Sequence, residues 1–221
     1  MFDDMKLNMK FIFRILIVVI SVLSILFSFL FNPYAYIYLH TYNAILTLPI
    51  FVIIFKFTKD KLFKNEDYQT VTFNLIDYCL VLLNIASLIL GLFFMEYKFW
   101  QKEFYTVDNV FSIIVLPLMV TIDFAFFVEK GLYKLYFIPY SIISLFVYFV
   151  VIIVRILIVR GNDSILSIYW SKYYPYVFLN FDNVNIGLVL TSVFCLLIGV
   201  LSIAIGCYYA KCKTYEITVN D

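Results

Sequence analysis

The sequence predicts an all-α fold, a polytopic membrane protein built as a single six-helix transmembrane bundle over residues 1–221. Three observations lead there. Six apolar stretches, Phe11–Phe31, Tyr36–Phe57, Val71–Met95, Asn109–Val128, Tyr133–Val159 and Val184–Ala210, are each about the 20 residues that a helix needs to cross roughly 30 Å of hydrocarbon. Hydrophobic residues are 64% of the chain and mean hydropathy is +0.98, outside the range of water-soluble globules. Summed over alternate segments, Lys and Arg are biased eleven to five, as on opposite sides of a membrane, although the fifth connection runs against the bias.

The first stretch follows Lys6, Lys10 and Arg14, as the core of a signal peptide would. Its length of about 21 residues and the lack of a small-x-small cleavage site make it a retained anchor. The second carries His40, the only histidine, and the third Asp77. The fourth carries Asp123, the fifth Arg155, and the sixth is rich in small residues. The longest polar connections are Thr58–Thr70, Glu96–Asp108 and Gly161–Asn183, too short for a second domain.

With the N-terminus inside, eleven of the sixteen basic residues fall in inner segments: Lys6, Lys10, Arg14, Lys56, Lys59, Lys61, Lys64, Lys130, Lys134, Lys211 and Lys213. The other five, Lys98, Lys102, Arg155, Arg160 and Lys172, fall outside, so both termini are expected to be cytoplasmic. A net charge of +1 without a basic run gives no sign of a nucleic-acid partner. Cys79, Cys195, Cys207 and Cys212 form no CxxC pair and none lies in an outer segment, so neither disulfides nor a metal is expected, and no cofactor. The wealth of Phe, Ile, Tyr, Lys and Asn points to a low-GC genome, hence to the plasma membrane of such a bacterium.

At 100° per residue the polar and small residues of every span gather on one face. These are Arg14, Ser21, Ser24 and Ser28 in the first span, and His40, Asn43, Ala44 and Thr47 in the second. The third span gives Thr70, Asn74, Asp77, Asn84 and Gly91, and the fourth Asn109, Ser112 and Asp123. The fifth gives Ser141, Ser144, Tyr148 and Arg155, and the sixth Asn185, Ser192, Cys195, Gly199, Ser202 and Gly206. Unsatisfied polar groups in hydrocarbon cost several kcal/mol, so these faces are expected to turn inward. Cys195-x-x-x-Gly199 and Ser202-x-x-x-Gly206 are spacings that let helices approach closely.

Depth sorts the ionisable groups. Arg14, Asp77 and Asp123 share the cytoplasmic third, where Arg14 is expected to pair with Asp77 or Asp123 as a structural clasp. His40, Asn43, Ser112, Arg155 and Asn185 share the outer third. His40 next to a hydroxyl, Thr41 or Ser112, is the pattern of an activated nucleophile, with Asn43 a possible oxyanion donor. It is equally the pattern of interfacial hydrogen bonding. The outer connection Ile168–Leu179, with Tyr174 and Tyr176, suits either an aromatic belt at the headgroups or a lid over an outer cavity.

Pro117-Leu118-Met119-Val120-Thr121-Ile122-Asp123-Phe124 with Glu129-Lys130-Gly131-Leu132, the segment Tyr173–Asn180, and Asn43-Ala44-Ile45-Leu46 resemble motifs of the androgen-induced transmembrane protein family and its small bacterial and yeast relatives. The resemblance runs through short motifs only. It implies six spans with both ends inside. Its animal members hydrolyse fatty acid esters of hydroxy fatty acids within the membrane, with a Thr on an early helix and a His on a later one. Thr41 is the candidate for that Thr, whereas the His position holds Ser112 and Ile113 here, so the catalytic pair is not carried over.

The function expected from the sequence is binding or processing of a lipid-like amphipathic molecule in an outer-leaflet polar cavity. Asn43, Arg155, Asn185, Tyr174 and Tyr176 are its expected binding residues, and membrane lipids its partners. The alternatives are a small ion-coupled transporter, for which Asp77, Asp123 and Arg155 would mark a path, and a scaffold subunit whose small-residue faces bind a partner's helices.

Overall fold

A computed structural model describes residues 2–31, 38–64, 70–94, 105–160, 176–179 and 185–211. Six helices in it are long and apolar enough to cross a membrane: α1 (Phe2–Phe31), α2 (Leu39–Lys64), α3 (Val71–Phe94), α4 (Val107–Phe127), α5 (Phe137–Arg160) and α6 (Ile186–Lys211). The described residues contain no strand. Both ends of the described chain lie at one end of the bundle, here the terminal end. The last residues of α1, α3 and α5 and the first of α2, α4 and α6 lie at the far end.

α3 is the central element: it packs against α2, α4, α5 and α6, and 56% of its most apolar window is buried. α6 is peripheral, with 17% of its window buried. Large side chains such as Ile12, Leu16, Val19, Phe126, Val151 and Phe194 are exposed on the outside, where hydrocarbon is the solvent. The interior divides into two apolar clusters. One, in the terminal half, is built on Ile17, Phe51, Tyr78, Val120, Tyr133 and Phe137. The other, in the far half, is built on Leu39, Leu90, Ile113, Tyr148, Tyr176 and Val189. At Gly91 α3 meets α4 so closely that a Cβ would run into the Ile113 side chain.

Three boundaries differ from those expected. α2 begins at Leu39 and runs on to Lys64, because Thr58 and Asp60 are buried within the bundle and the helix that carries them must continue. α5 begins at Phe137 instead of Tyr133. Gly131, at φ 87°, turns the chain in a left-handed conformation, and Tyr133 packs from this turn onto Tyr78 and Phe124. α4 widens into a π-helical stretch over Val110–Val115. Pro117 has no N–H for the carbonyl four residues back, so the turn before it rearranges to bonds of five residues, such as Leu116 N–H to the Phe111 carbonyl.

The small-residue face of the last span does not pack closely as expected: Ser192, Cys195 and Gly199 turn toward α3 and α5 across an open groove. Cys195, Gly199, Ser202 and Gly206 are exposed, and a Cβ at Gly199 or Gly206 would meet no atom within 4 Å. Lipid tolerates the Ser202 and Thr191 hydroxyls because each donates to its own helix, to the Ile198 and Gly187 carbonyls. α6 is held instead at its terminal half. Tyr78 donates its hydroxyl hydrogen to the Ala204 carbonyl, and Lys211 Nζ donates to the Ala125 and Val128 carbonyls that end α4, both at 2.9 Å. The fold is that of a multi-pass membrane protein.

Candidate functional site

The polar residues of the bundle interior lie in three layers stacked along its axis. At the terminal end Arg14 and Asp123 form a bidentate ion pair, Nε to Oδ1 at 3.0 Å and an Nη to Oδ2 at 3.1 Å. The remaining Nη donates to Thr58 Oγ1 at 2.7 Å, and Thr58 in turn donates to the Ile54 carbonyl at 2.8 Å. Three helices are thereby joined through side chains that are almost wholly buried. Asp77 is not part of this pair. Its carboxylate accepts the Tyr133 hydroxyl at 2.7 Å.

One layer further on, Asn43, Asn84 and Thr47 close a ring. Asn43 Nδ2 donates to Asn84 Oδ1 at 2.8 Å, and Asn84 Nδ2 donates to Thr47 Oγ1 at 3.3 Å and to the Leu80 carbonyl at 2.9 Å. Thr47 Oγ1 returns to Asn43 Oδ1 at 3.5 Å. The Asn43 amide is thus committed to α3, away from any oxyanion.

The far-end layer is different. Ser24 and Ser28 of α1, His40 and Thr41 of α2, Ser87 of α3 and Asp108 of α4 are all buried. In each, a polar atom has no hydrogen-bond partner: the four hydroxyls, His40 Nδ1 and Asp108 Oδ1. Helix register spreads these residues over more than one turn along the bundle: from the contact of Gly91 with Ile113, Ser87 lies one turn toward the terminal end and Asp108 more than one turn toward the far end. α1 and α4 run antiparallel with Arg14 opposite Asp123 and the Phe27 and Phe111 rings 5.5 Å apart, which sets Ser28 across from the start of α4 at Asp108. α2 and α3 run antiparallel with Asn43 opposite Asn84, so His40 and Ser87 each lie three residues further out on the same faces. Buried hydroxyls left unpaired cost about 1–3 kcal/mol each in proteins, so several in the far half of the bundle are an anomaly.

Ser112, in the π-helical stretch, is buried, and its hydroxyl donates to the Asp108 carbonyl. It is directed along its own helix and not to His40. The His40 ring stacks on Tyr38 with centroids 5.1 Å apart. Thr41 Oγ1 and His40 Nδ1 make no bond to each other. A nucleophile–base pair of the expected kind is therefore not assembled from His40, Thr41 and Ser112.

Tyr176 is buried under the far end. Its hydroxyl accepts the Leu39 N–H at 3.2 Å, which occupies one of the free donors at the start of α2, and it is hydrogen-bonded to the Tyr148 hydroxyl. Burial raises its pKa above the ordinary phenol value, so it serves as a neutral hydrogen-bonding cap. Asn185 is exposed and accepts the Gly187 N–H at 2.9 Å, the part of a helix N-cap for α6. Tyr174 and the side chain of Arg155 lie outside the described residues. Thr58, Asn84, Tyr133 and Lys211 are the partners that sequence reasoning did not assign.

Outside the polar interior, a groove of about 460 Å³ runs between α3, α5 and α6. Ala86, Leu90 and Leu145 form one wall, and Leu188, Cys195 and Gly199 the other. It extends along α6 from Leu188 to Ile203, about 22 Å at the helical rise. None of the residues expected at a site lines it. A second apolar hollow of about 350 Å³ lies between α2, α3 and α5 around Leu46, Cys79 and Ile143.

Comparison of the chain with protein-family models, curated proteins and solved structures finds no match in any of the three.

Proposed function

We propose that this membrane protein binds a lipid-like amphipathic molecule, with the acyl chain lying in the groove along α6. The groove's shape is the observation that supports this reading: it is apolar, open to the side, and of a size common for ligand pockets. Thr191 and Ser192 lie in its far-end half, and Val200 and Ile203 in its terminal half. That gradient suits a molecule with a polar head and an apolar tail better than the uniformly apolar second hollow does. The distribution of Lys and Arg favours the far end as the outer one, so the head would sit in the outer leaflet. The resemblance to a family of lipid-ester hydrolases points to the same class of molecule. Ser112 is bonded to its own helix and Asn43 to α3, so the reading is of a binder, without a residue assigned to chemistry.

Photoactivatable fatty acid in nanodiscs tests it. Cross-links are expected on α6 peptides between Leu188 and Ile203, and Gly199→Leu is expected to reduce them several-fold. Gly199 faces open space and a helix favours Leu over Gly, so this variant keeps the fold while filling the groove. Equal labelling of a folded Gly199→Leu protein would overturn the reading.

A further inference from the structure

We propose that the groove along α6 measures chain length: it holds one extended tail of about 16–18 carbons and stops it where α6 closes onto α3 at Tyr78 and Ala204. The inference rests on the reading of this groove as a lipid site and adds which lipids it selects. Its two ends are unlike. At the terminal end Tyr78 donates its hydroxyl hydrogen to the Ala204 carbonyl, and both residues are fully buried. Ile203, the last groove residue of α6, packs there onto the terminal apolar cluster. At the far end the groove runs out beside Leu188, which is exposed near the start of the helix. A tail can thus enter from the far end or from the side, and it meets joined helices at Tyr78.

The dimensions set the tail. An extended hydrocarbon chain advances roughly 1.3 Å per carbon, because its bonds of about 1.5 Å alternate in direction. From Leu188 to Ile203 is about 22 Å at the helical rise, hence about 17 carbons. That exceeds the half-core of about 15 Å that a tail confined to one leaflet fills. Since the groove begins near the start of α6, it continues past the bilayer centre, and only a fully extended tail follows it to its end. Its volume of about 460 Å³, spread over that length, leaves a mean cross-section of about 20 Å², room for one chain and not two. Among the described residues no charged side chain lines it. A tail that comes from hydrocarbon gains nothing by leaving water, so selection rests on dispersion contacts. A shorter tail leaves the Val200–Ile203 end without them. A longer one must turn out sideways into lipid beyond its last contact.

Labelling of the full chain in nanodiscs of dimyristoyl phosphatidylcholine provides the test. The probes are straight-chain fatty acids of about 10 to about 24 carbons, which bracket the length of the groove, with the photoreactive group at the head end. They are compared at equal mole fraction in the bilayer, which removes differences in partitioning. Labelling of α6 is expected to strengthen several-fold from the shortest chain to about 17 carbons and to gain nothing beyond. Ile203→Ala, which trims the closed end, is expected to move that break about two to three carbons toward longer chains. Gly199→Leu fills the groove about 16 Å from Leu188, so it should weaken the long chains several-fold and leave the shortest within about twofold. It decides the matter if Ile203→Ala does not fold. Labelling independent of length, or a length profile that both substitutions leave unchanged, would overturn the ruler while the lipid site stands. No labelling of α6 at any length, as for a groove covered by a second copy of the chain, would overturn both.

Discussion

The two ends of this bundle answer one physical problem in opposite ways. Both bury a carboxylate among helices that lipid surrounds. At the terminal end Asp123 receives both prongs of a guanidinium, and the remaining donor of Arg14 is used by Thr58, so the group is complete within the chain. At the far end Asp108 has no basic partner among the described residues, and five other buried polar side chains of that half have an unpaired polar atom. The first arrangement fixes helices to each other. The second leaves buried polar atoms unmet, so the two ends differ in how far their polar groups are satisfied.

The largest effects should come from the complete end. Asp123→Asn leaves the Arg14 charge buried without its counter-ion, and loss of one partner of a buried pair costs about 3–5 kcal/mol. Much reduced folded yield and a lower unfolding midpoint are the expected outcome. Arg14→Met together with Asp123→Leu should recover most of that loss, because a pair replaced by apolar side chains leaves no orphan charge. A double variant as unstable as the single one would show that the pair does more than balance charge. Next comes the middle ring. Asn84→Ala removes the acceptor of Asn43 and the donor to Thr47, and unpaired buried amides cost about 1–3 kcal/mol. The same unfolding measurement checks it, and a loss below about 0.5 kcal/mol would place water at that ring.

Much of this layering was legible in the sequence, and the reason is periodicity. Helical spacing put Arg14, Ser24 and Ser28 on one face, and His40, Asn43 and Thr47 on another, and all of them are buried. Depth could be counted from the span ends, so Arg14 and Asp123 fell at one level. Azimuth could not be counted, since it depends on which helices are neighbours. That is why the choice between Asp77 and Asp123 stayed open until the packing of α1 on α4 settled it. Tyr133, the partner of Asp77, was hidden because it lies in a turn that its apolar surroundings disguised as span. Thr58 was hidden because α2 runs past the apolar stretch. Lys211 carried a signal that charge counting spends on orientation, although a Lys beside the end of another helix also finds free carbonyls. In α6 the inward-face rule failed at Ser202, because a hydroxyl that bonds its own backbone can face lipid.

The smallest expected effect is the most discriminating. Thr41→Val keeps the shape of a fully buried side chain and removes a hydroxyl that has no partner. It should be neutral or raise stability by up to about 1 kcal/mol, because an unmet polar group is replaced by an apolar one of equal size. The same kind of substitution at Thr58, whose hydroxyl receives Arg14, should lower stability, since it orphans a donor of a buried cation. Opposite signs for two buried Thr→Val changes on one helix, measured in one salt, would establish that the two ends differ in satisfaction and not merely in composition. Equal losses at both positions would mean that Thr41 also has a permanent partner in the folded chain, and the contrast between the ends would dissolve.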